Sequence, residues 1–201
     1  MVDVPTPHGP ARVDLHAAAD PIGVIVLGHG AGGGVTTPDL LAVVDTALAL
    51  RVTAVTVEQP YRVAGRRAPA PARHLDAAWT AVLQHLVAGQ LAGLPVVVGG
   101  RSSGARVACR TAAAVGASGV LCLAFPLVAP RGATRTSRQS ELDAVRVPVL
   151  VVQGARDRFG RPEPAATTEV VVVAGDHSLH TDPAAVASAV RNWLPRVLSP
   201  G

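Results

Sequence analysis

The sequence predicts an α/β fold of three layers, a mostly parallel sheet held between two layers of helices, and three observations predict it. Short runs rich in Val, Ile and Leu alternate with longer Ala/Leu-rich stretches of helical periodicity. The short runs are continuously apolar, as strands buried on both faces require. Polar, chemistry-bearing residues come directly after several of these runs, where open parallel sheets gather their functional groups.

Six runs read as strands: Ile22 to Leu27, Val52 to Val57, Val96 to Val98, Val120 to Phe125, Val147 to Val152 and Val170 to Val173. A further strand is expected near Arg12 to Leu15. Helices are expected over Asp39 to Leu50, Arg73 to Ala88, Ala105 to Val115, Ser140 to Val145 and Pro183 to Leu198. Two of their starts carry a chemical mark. Thr37-Pro38 and Asp182-Pro183 read as cap and first-turn pairs, in which an oxygen accepts free amide protons and proline forfeits no helix bond. The Pro/Arg-rich segments Gln59 to Ala72 and Pro126 to Gln139 read as surface loops. No stretch is long enough for a second domain or a large lid, so residues 1–201 are expected to form one domain with a rather open site.

A chain of 201 residues can bury a sizeable core. All 18 basic residues are Arg, and the net charge of +4 is dispersed along the chain. With only two Trp, one Tyr and two Phe there is no basic stripe interleaved with stacking rings, which argues against a nucleic-acid partner. Cys109 and Cys122 lie too far apart for a Cys-x-x-Cys pair and sit in apolar segments, so they read as buried free thiols. Neither a metal nor a cofactor is implied. The N-terminal residues lack a basic stretch followed by an apolar one, and no apolar run reaches membrane-spanning length. A cytoplasmic chain without a membrane partner is the expectation.

Gly100-Arg101-Ser102-Ser103-Gly104 fits Gly-x-Ser-x-Gly between an expected strand and an expected helix. Glycines flank the central residue because a side chain there would collide with the neighbouring strand and helix, and that spacing selects Ser102 over Ser103. Taken alone, the motif could equally be a strand-to-helix turn with an N-capping serine. A serine hydroxyl is a weak nucleophile and needs a base, and the base needs a partner to fix its tautomer. Asp157 and His177 each follow a separate expected strand, in the order Ser, acid, His. His180 abuts the start of the last helix, Asp176 adjoins His177 too closely to face its ring, and Asp143 precedes a strand. These are weaker candidates.

Gly28 to Gly34 reads Gly-His-Gly-Ala-Gly-Gly-Gly directly after a strand. Its glycines let backbone amides approach a developing alkoxide, with the amide of Ala31 or Gly32 pairing with that of Ser103. His29 then reads as a residue that orders the loop. Gly28, Gly30 and Gly33 also satisfy Gly-x-Gly-x-x-Gly, with Glu58 after the next strand, so a dinucleotide site is an alternative. Glu58 lies too far on, and the expected helix starts after the glycines instead of through them. A phosphate-binding P-loop is excluded at the serine motif, because Ala105 stands where Lys is needed.

The segments HGAGGG, PYRVAGRRAP, GGRSSGARVA, VQGARDRFG and GDHSL, from His29 to Leu179, resemble the α/β-hydrolase superfamily. The resemblance is to a compact branch related to dienelactone hydrolases, a domain type shared with bacterial hydrolase-like proteins, testis-expressed protein homologues and a subunit of a histone acetyltransferase complex. It implies Ser102 as nucleophile, Asp157 as acid and His177 as base, with a small-molecule ester, thioester or lactone as substrate. Ser103 and Ala105 stand where relatives often carry Met and Gly, and Arg158 where they carry Pro. Some relatives serve as interaction subunits, so an idle scaffold with Arg62, Arg66, Arg67 and Arg73 as docking surface is the rival expectation. Arg66, Arg67 and Arg101 are also candidate contacts to an anionic substrate, since guanidinium forks suit carboxylates and phosphates.

Overall fold

The computed structural model describes residues 1–129 and 136–199. Among the described residues eight strands are formed: β1 (Val2–Val4), β2 (Ala11–His16), β3 (Gly23–Gly28), β4 (Val52–Glu58), β5 (Val96–Arg101), β6 (Gly119–Leu123), β7 (Val149–Gly154) and β8 (Thr168–Val173). Six helices accompany them: α1 (Pro38–Ala49), α2 (Pro60–Val63), α3 (Ala72–Ala88), α4 (Ser103–Thr111), α5 (Gln139–Asp143) and α6 (Pro183–Leu198). The strands form one sheet in the order β1-β2-β4-β3-β5-β6-β7-β8. From β4 through β8 all neighbours are parallel, and β2 and β1 add an antiparallel edge.

The continuous apolar runs have their explanation in two cores. Strand residues point alternately to opposite faces. Val24 and Val26 of β3 pack with Trp79, Val82 and Leu83 of α3. Ile25 and Leu27 pack on the other face with Leu40 and Val43 of α1 and with Trp193 and Leu194 of α6. The same alternation runs through β7, where Val149 and Val151 enter the first core and Leu150 and Val152 the second. A single polar substitution in these strands would therefore strand an unpaired group inside one of the two cores.

Three differences from the sequence reading concern short or local features. β1 is a three-residue edge strand, too short to show a pattern. α2 lies inside the segment Gln59 to Ala72 that reads as a loop; it is a single turn with Pro60 at its start, below the length at which periodicity can be read. Thr37 precedes α1 as expected, but its side chain makes no capping bond, and its Oγ1 is buried without a partner among the described residues. Asp182 does cap α6, accepting from the Ala185 amide at 2.9 Å. Of the second expected loop, Pro126 to Gln139, residues 130–135 lie outside the described residues.

Among the described residues the only helices besides those that flank the sheet are the four-residue α2 and the five-residue α5, which is tied to α4 through Glu141, and there is no large lid. Among the described residues no helix is long and apolar enough to cross a membrane, and no group of three or more metal-ligating side chains is gathered. Both cysteines are free and buried, their sulfurs 3.4 Å apart between α4 and β6.

Candidate active site

Ser102 sits at the turn between β5 and α4 with φ 53° and ψ −108°, a backbone conformation that costs a residue with a side chain of order 1–3 kcal/mol. The surroundings impose it. The Ser102 amide donates to the Leu123 carbonyl of β6 at 2.9 Å. Behind it the chain packs directly on the end of β3: a methyl group added at Gly104 would lie 2.5 Å from the Gly28 carbonyl oxygen, and one at Gly100 would strike the same oxygen. The two glycines of the motif are thus the residues that let β3, β5 and α4 converge, and the convergence lifts Ser102 out of the sheet edge.

Two loops bring the other side chains to it. His177, in the loop after β8, places Nε2 2.9 Å from the Ser102 hydroxyl oxygen. Its Nδ1 lies 2.7 Å from Oδ2 of Asp157, in the loop after β7. Asp157 has a side chain only 1% exposed, whereas that of His177 is 19% exposed. The buried carboxylate also accepts from the Phe159 amide at 2.9 Å on Oδ1 and from Nε2 of Gln153 at 2.8 Å on Oδ2. With Oδ2 a constant acceptor, the neutral His177 ring is set to carry its proton on Nδ1 and to offer Nε2 to the serine as acceptor. The Phe159 ring meets the imidazole edge-on at 4.5 Å between centroids and limits its rotation.

The glycine loop is held by His29, which is 3% exposed. Nδ1 lies 2.8 Å from the Gly30 carbonyl, and Nε2 accepts the Gln59 amide at 3.0 Å. Donor and acceptor can both be satisfied only by the neutral ring with its proton on Nδ1, and burial, ahead of the neighbouring charges, pushes its pKa down. The loop is steadied further along by Tyr61 of α2, whose hydroxyl donates to the Ala31 carbonyl at 3.2 Å. Ser103 opens α4, where an amide has no acceptor inside the helix.

The candidate arginines separate. Arg101 has Nε 3.0 Å from Oδ2 of Asp39, and its Nη2 donates to the His177 carbonyl at 2.9 Å. Two of its three guanidinium nitrogens are thus engaged within the molecule. The Nε to Asp39 contact is close but poorly aligned for a hydrogen bond, so it acts chiefly between charges. Arg66 and Arg67 are exposed, and Arg66 lines a cavity of about 350 Å³ with His8, Tyr61, Val63, His74 and Leu75. Neither Ser102, Asp157 nor His177 lines that cavity. His180 and Asp176 are exposed, and Asp176 accepts instead from the Ser178 amide and hydroxyl.

Asp39, Gln153 and Phe159 were not singled out by sequence reasoning. Asp39 reads only as an acid in the first turn of a helix, and Gln153 as the polar end of a strand. No spacing rule connects either to residues that approach through tertiary packing.

The alpha/beta hydrolase domain family matches residues 21–193 of the chain. No curated protein matches it in sequence. Among solved structures, Est1E from Butyrivibrio proteoclasticus with ferulic acid bound is similar at 14% identity, with 100% of both chains covered and a TM-score of 0.80. A serine hydrolase without lid from Xanthomonas campestris shares 20% identity over 96% of this chain and 94% of its own, with a TM-score of 0.71. A dienelactone hydrolase from Anabaena variabilis shares 16% over 97% and 95%, with a TM-score of 0.77. At these identities the likeness is one of fold.

Proposed function

Because the chain belongs to the alpha/beta hydrolase domain family, we propose that it is a serine hydrolase cleaving an ester, thioester or lactone through an acyl-enzyme on Ser102. One observation carries the reading: the unbroken line of contacts from the Ser102 hydroxyl through both ring nitrogens of His177 to the buried Asp157. In the proposed reaction the Ser102 oxygen attacks the carbonyl carbon while its proton passes to His177 Nε2. The imidazolium so formed is stabilised by Asp157, and the carbonyl oxygen becomes an alkoxide. The amide of Ser103, with that of Ala31 or Gly32, is the proposed donor set for it. Collapse of the intermediate expels the alcohol or thiol, which takes the proton from Nε2. Water then repeats the sequence in reverse roles and frees the acid.

The test pairs wild type with Ser102→Ala on short p-nitrophenyl esters and a fluorophosphonate probe. Wild type is expected to label and turn over, and the variant to lose several orders of magnitude in kcat with no labelling. Equal labelling of the two proteins would remove Ser102 from the mechanism. A folded wild type that neither labels nor hydrolyses any ester would favour the idle scaffold.

A further inference from the structure

The guanidinium of Arg101 makes polar contacts with two parts of the molecule and packs against a third. Its backbone is the last residue of β5, directly before Ser102. Nε lies 3.0 Å from Asp39 in the first turn of α1, and Nη2 donates to the His177 backbone carbonyl at 2.9 Å. Nη1 lies under the glycine loop, 3.2 Å from where a methyl group on Gly30 would be. Asp39 is fully buried and the Arg101 side chain is 13% exposed. We propose that the Arg101–Asp39 pair is a positioning device that sets His177 against Ser102, a proposal that rests on the serine hydrolase reading above.

His177 is borne on a sharply turned loop. Its backbone turns through Gly175 at φ 114° and Leu179 at φ 55°, and its neighbour Asp176 bonds only within the turn. The loop is anchored on either side of His177, at the Gly175 carbonyl, which accepts the Arg156 amide at 2.9 Å, and at the fully buried Leu179, while the Asp157 carboxylate fixes the ring's tautomer and tilt. Between these anchors the Arg101 hydrogen bond adds a direct tie from the carbonyl of the base to the residue adjoining the nucleophile. Asp39 is what makes the fastening rigid. The buried Asp39 charge attracts the guanidinium to one place at 3.0 Å from Nε, and because the guanidinium is planar and rigid, Nη2 is then held within reach of the His177 carbonyl. A lysine at this position could compensate the Asp39 charge but could not span both partners with one fixed geometry. Since the geometry of a reacting pair tolerates little error, a displacement of about 1 Å at His177 is enough to cost up to about 100-fold in rate.

Three variants test it: Arg101→Lys, Arg101→Met and the double variant Arg101→Met/Asp39→Leu, which removes both charges together. Each is read by thermal melting, by kcat and KM on a neutral short ester, and by the low-field proton resonance of the His177 Nδ1–H bonded to Asp157. Arg101→Met is expected to melt well below wild type, and the double variant to recover most of that loss. Arg101→Lys and the double variant are both expected to show kcat lowered about 10- to 100-fold, KM within about twofold of wild type, and a broadened or lost low-field resonance. Wild-type kcat and an intact resonance in the double variant overturn the proposal. A raised KM with unchanged kcat overturns it too, since that is the signature of a substrate contact. If wild type proves inactive on every ester, the hydrolase reading fails, while the resonance still reports whether Arg101 and Asp39 order the histidine.

Discussion

Asp157 and Asp39 are both buried at the carboxyl edge of the sheet, yet their charges are accommodated in opposite ways. Asp157 is surrounded by neutral donors, the Phe159 amide and the Gln153 side chain, and turns its remaining face to a histidine that can gain or lose a proton. Asp39 is paired, among the described residues, with the permanently charged guanidinium of Arg101. A carboxylate held by neutral donors stays poised to stabilise a positive charge that comes and goes. One locked to a permanent cation has nothing left to offer a reaction and serves to hold geometry. The difference teaches that two equally buried acids can be suited to different tasks by their partners, and on the proposed mechanism only Asp157 has the partner of a triad acid.

The comparison is broken most severely at Asp157. Replacing it by Asn keeps the size of the side chain but supplies an amide where His177 needs an acceptor, so the ring is driven to the wrong tautomer. In the serine-protease case on which this expectation is built, the equivalent change lowers kcat by about 10⁴-fold. A similar fall is expected here, in steady-state hydrolysis of a p-nitrophenyl ester, with the melting temperature much less affected. Activity within tenfold of wild type would mean that Asp157 is a structural acid like Asp39, and the contrast between them would vanish.

At Asp39 the expected loss is in stability, and it should be lopsided. Arg101→Met leaves a fully buried carboxylate with no counter-charge, and breaking a buried pair in this way costs about 3–5 kcal/mol. Asp39→Leu leaves the guanidinium, which still has the His177 carbonyl and some access to water. It should cost less. For a chain of this size each kcal/mol moves the melting temperature by about 2–4 °C, so differential scanning calorimetry should separate the two variants clearly. Equal losses would show that the pair acts as a simple unit, without the directional tether inferred from Nη2.

Much of this edge was legible in the sequence, and the part that was not has a physical boundary. Ser102, Asp157 and His177 were readable because each follows a strand and because turn chemistry is local: the glycines beside Ser102 report a close backbone approach that residues nearby must permit. The strands were readable because burial on both faces leaves a continuous apolar run. Asp39 looked like an ordinary acid of a first helical turn, and the same residue would look so whether or not an arginine met it. Arg101 was visible but ambiguous, since its identity specifies a fork and not what the fork grips. Partners that meet only through the packing of β3, β5 and the loop after β8 leave no trace in spacing. For the same reason the single turn α2, which supplies Tyr61 to the glycine loop, was submerged in a segment whose prolines and arginines read as a loop.

A third buried ionisable group sharpens the contrast from the opposite side, with the smallest effect. His29 has neither neutral donors gathered round a charge nor a counter-ion against it; it is held uncharged. Burial is the main cause of its lowered pKa, the Gly30 carbonyl and Glu58 oppose that shift, and Arg62 adds to it. The sign follows from linkage. Below the ordinary value of 6.5 the unfolded chain takes up a proton that folded His29 resists, so stability falls as pH drops from there toward the lowered folded pKa. Above 6.5 both states are neutral and the term disappears. One such group changes stability by at most about 1.4 kcal/mol per pH unit. His29→Gln offers an oxygen where Nε2 now accepts the Gln59 amide, and has no proton to gain. Urea titrations at pH 7.5 and 5.5 are expected to show the variant somewhat weaker at the higher pH and with a flatter dependence than wild type. The dependence will not disappear, because His74, stacked on His8, is shifted in the same direction. Identical slopes in the two proteins would place the acid sensitivity elsewhere and leave the contrast to the two carboxylates.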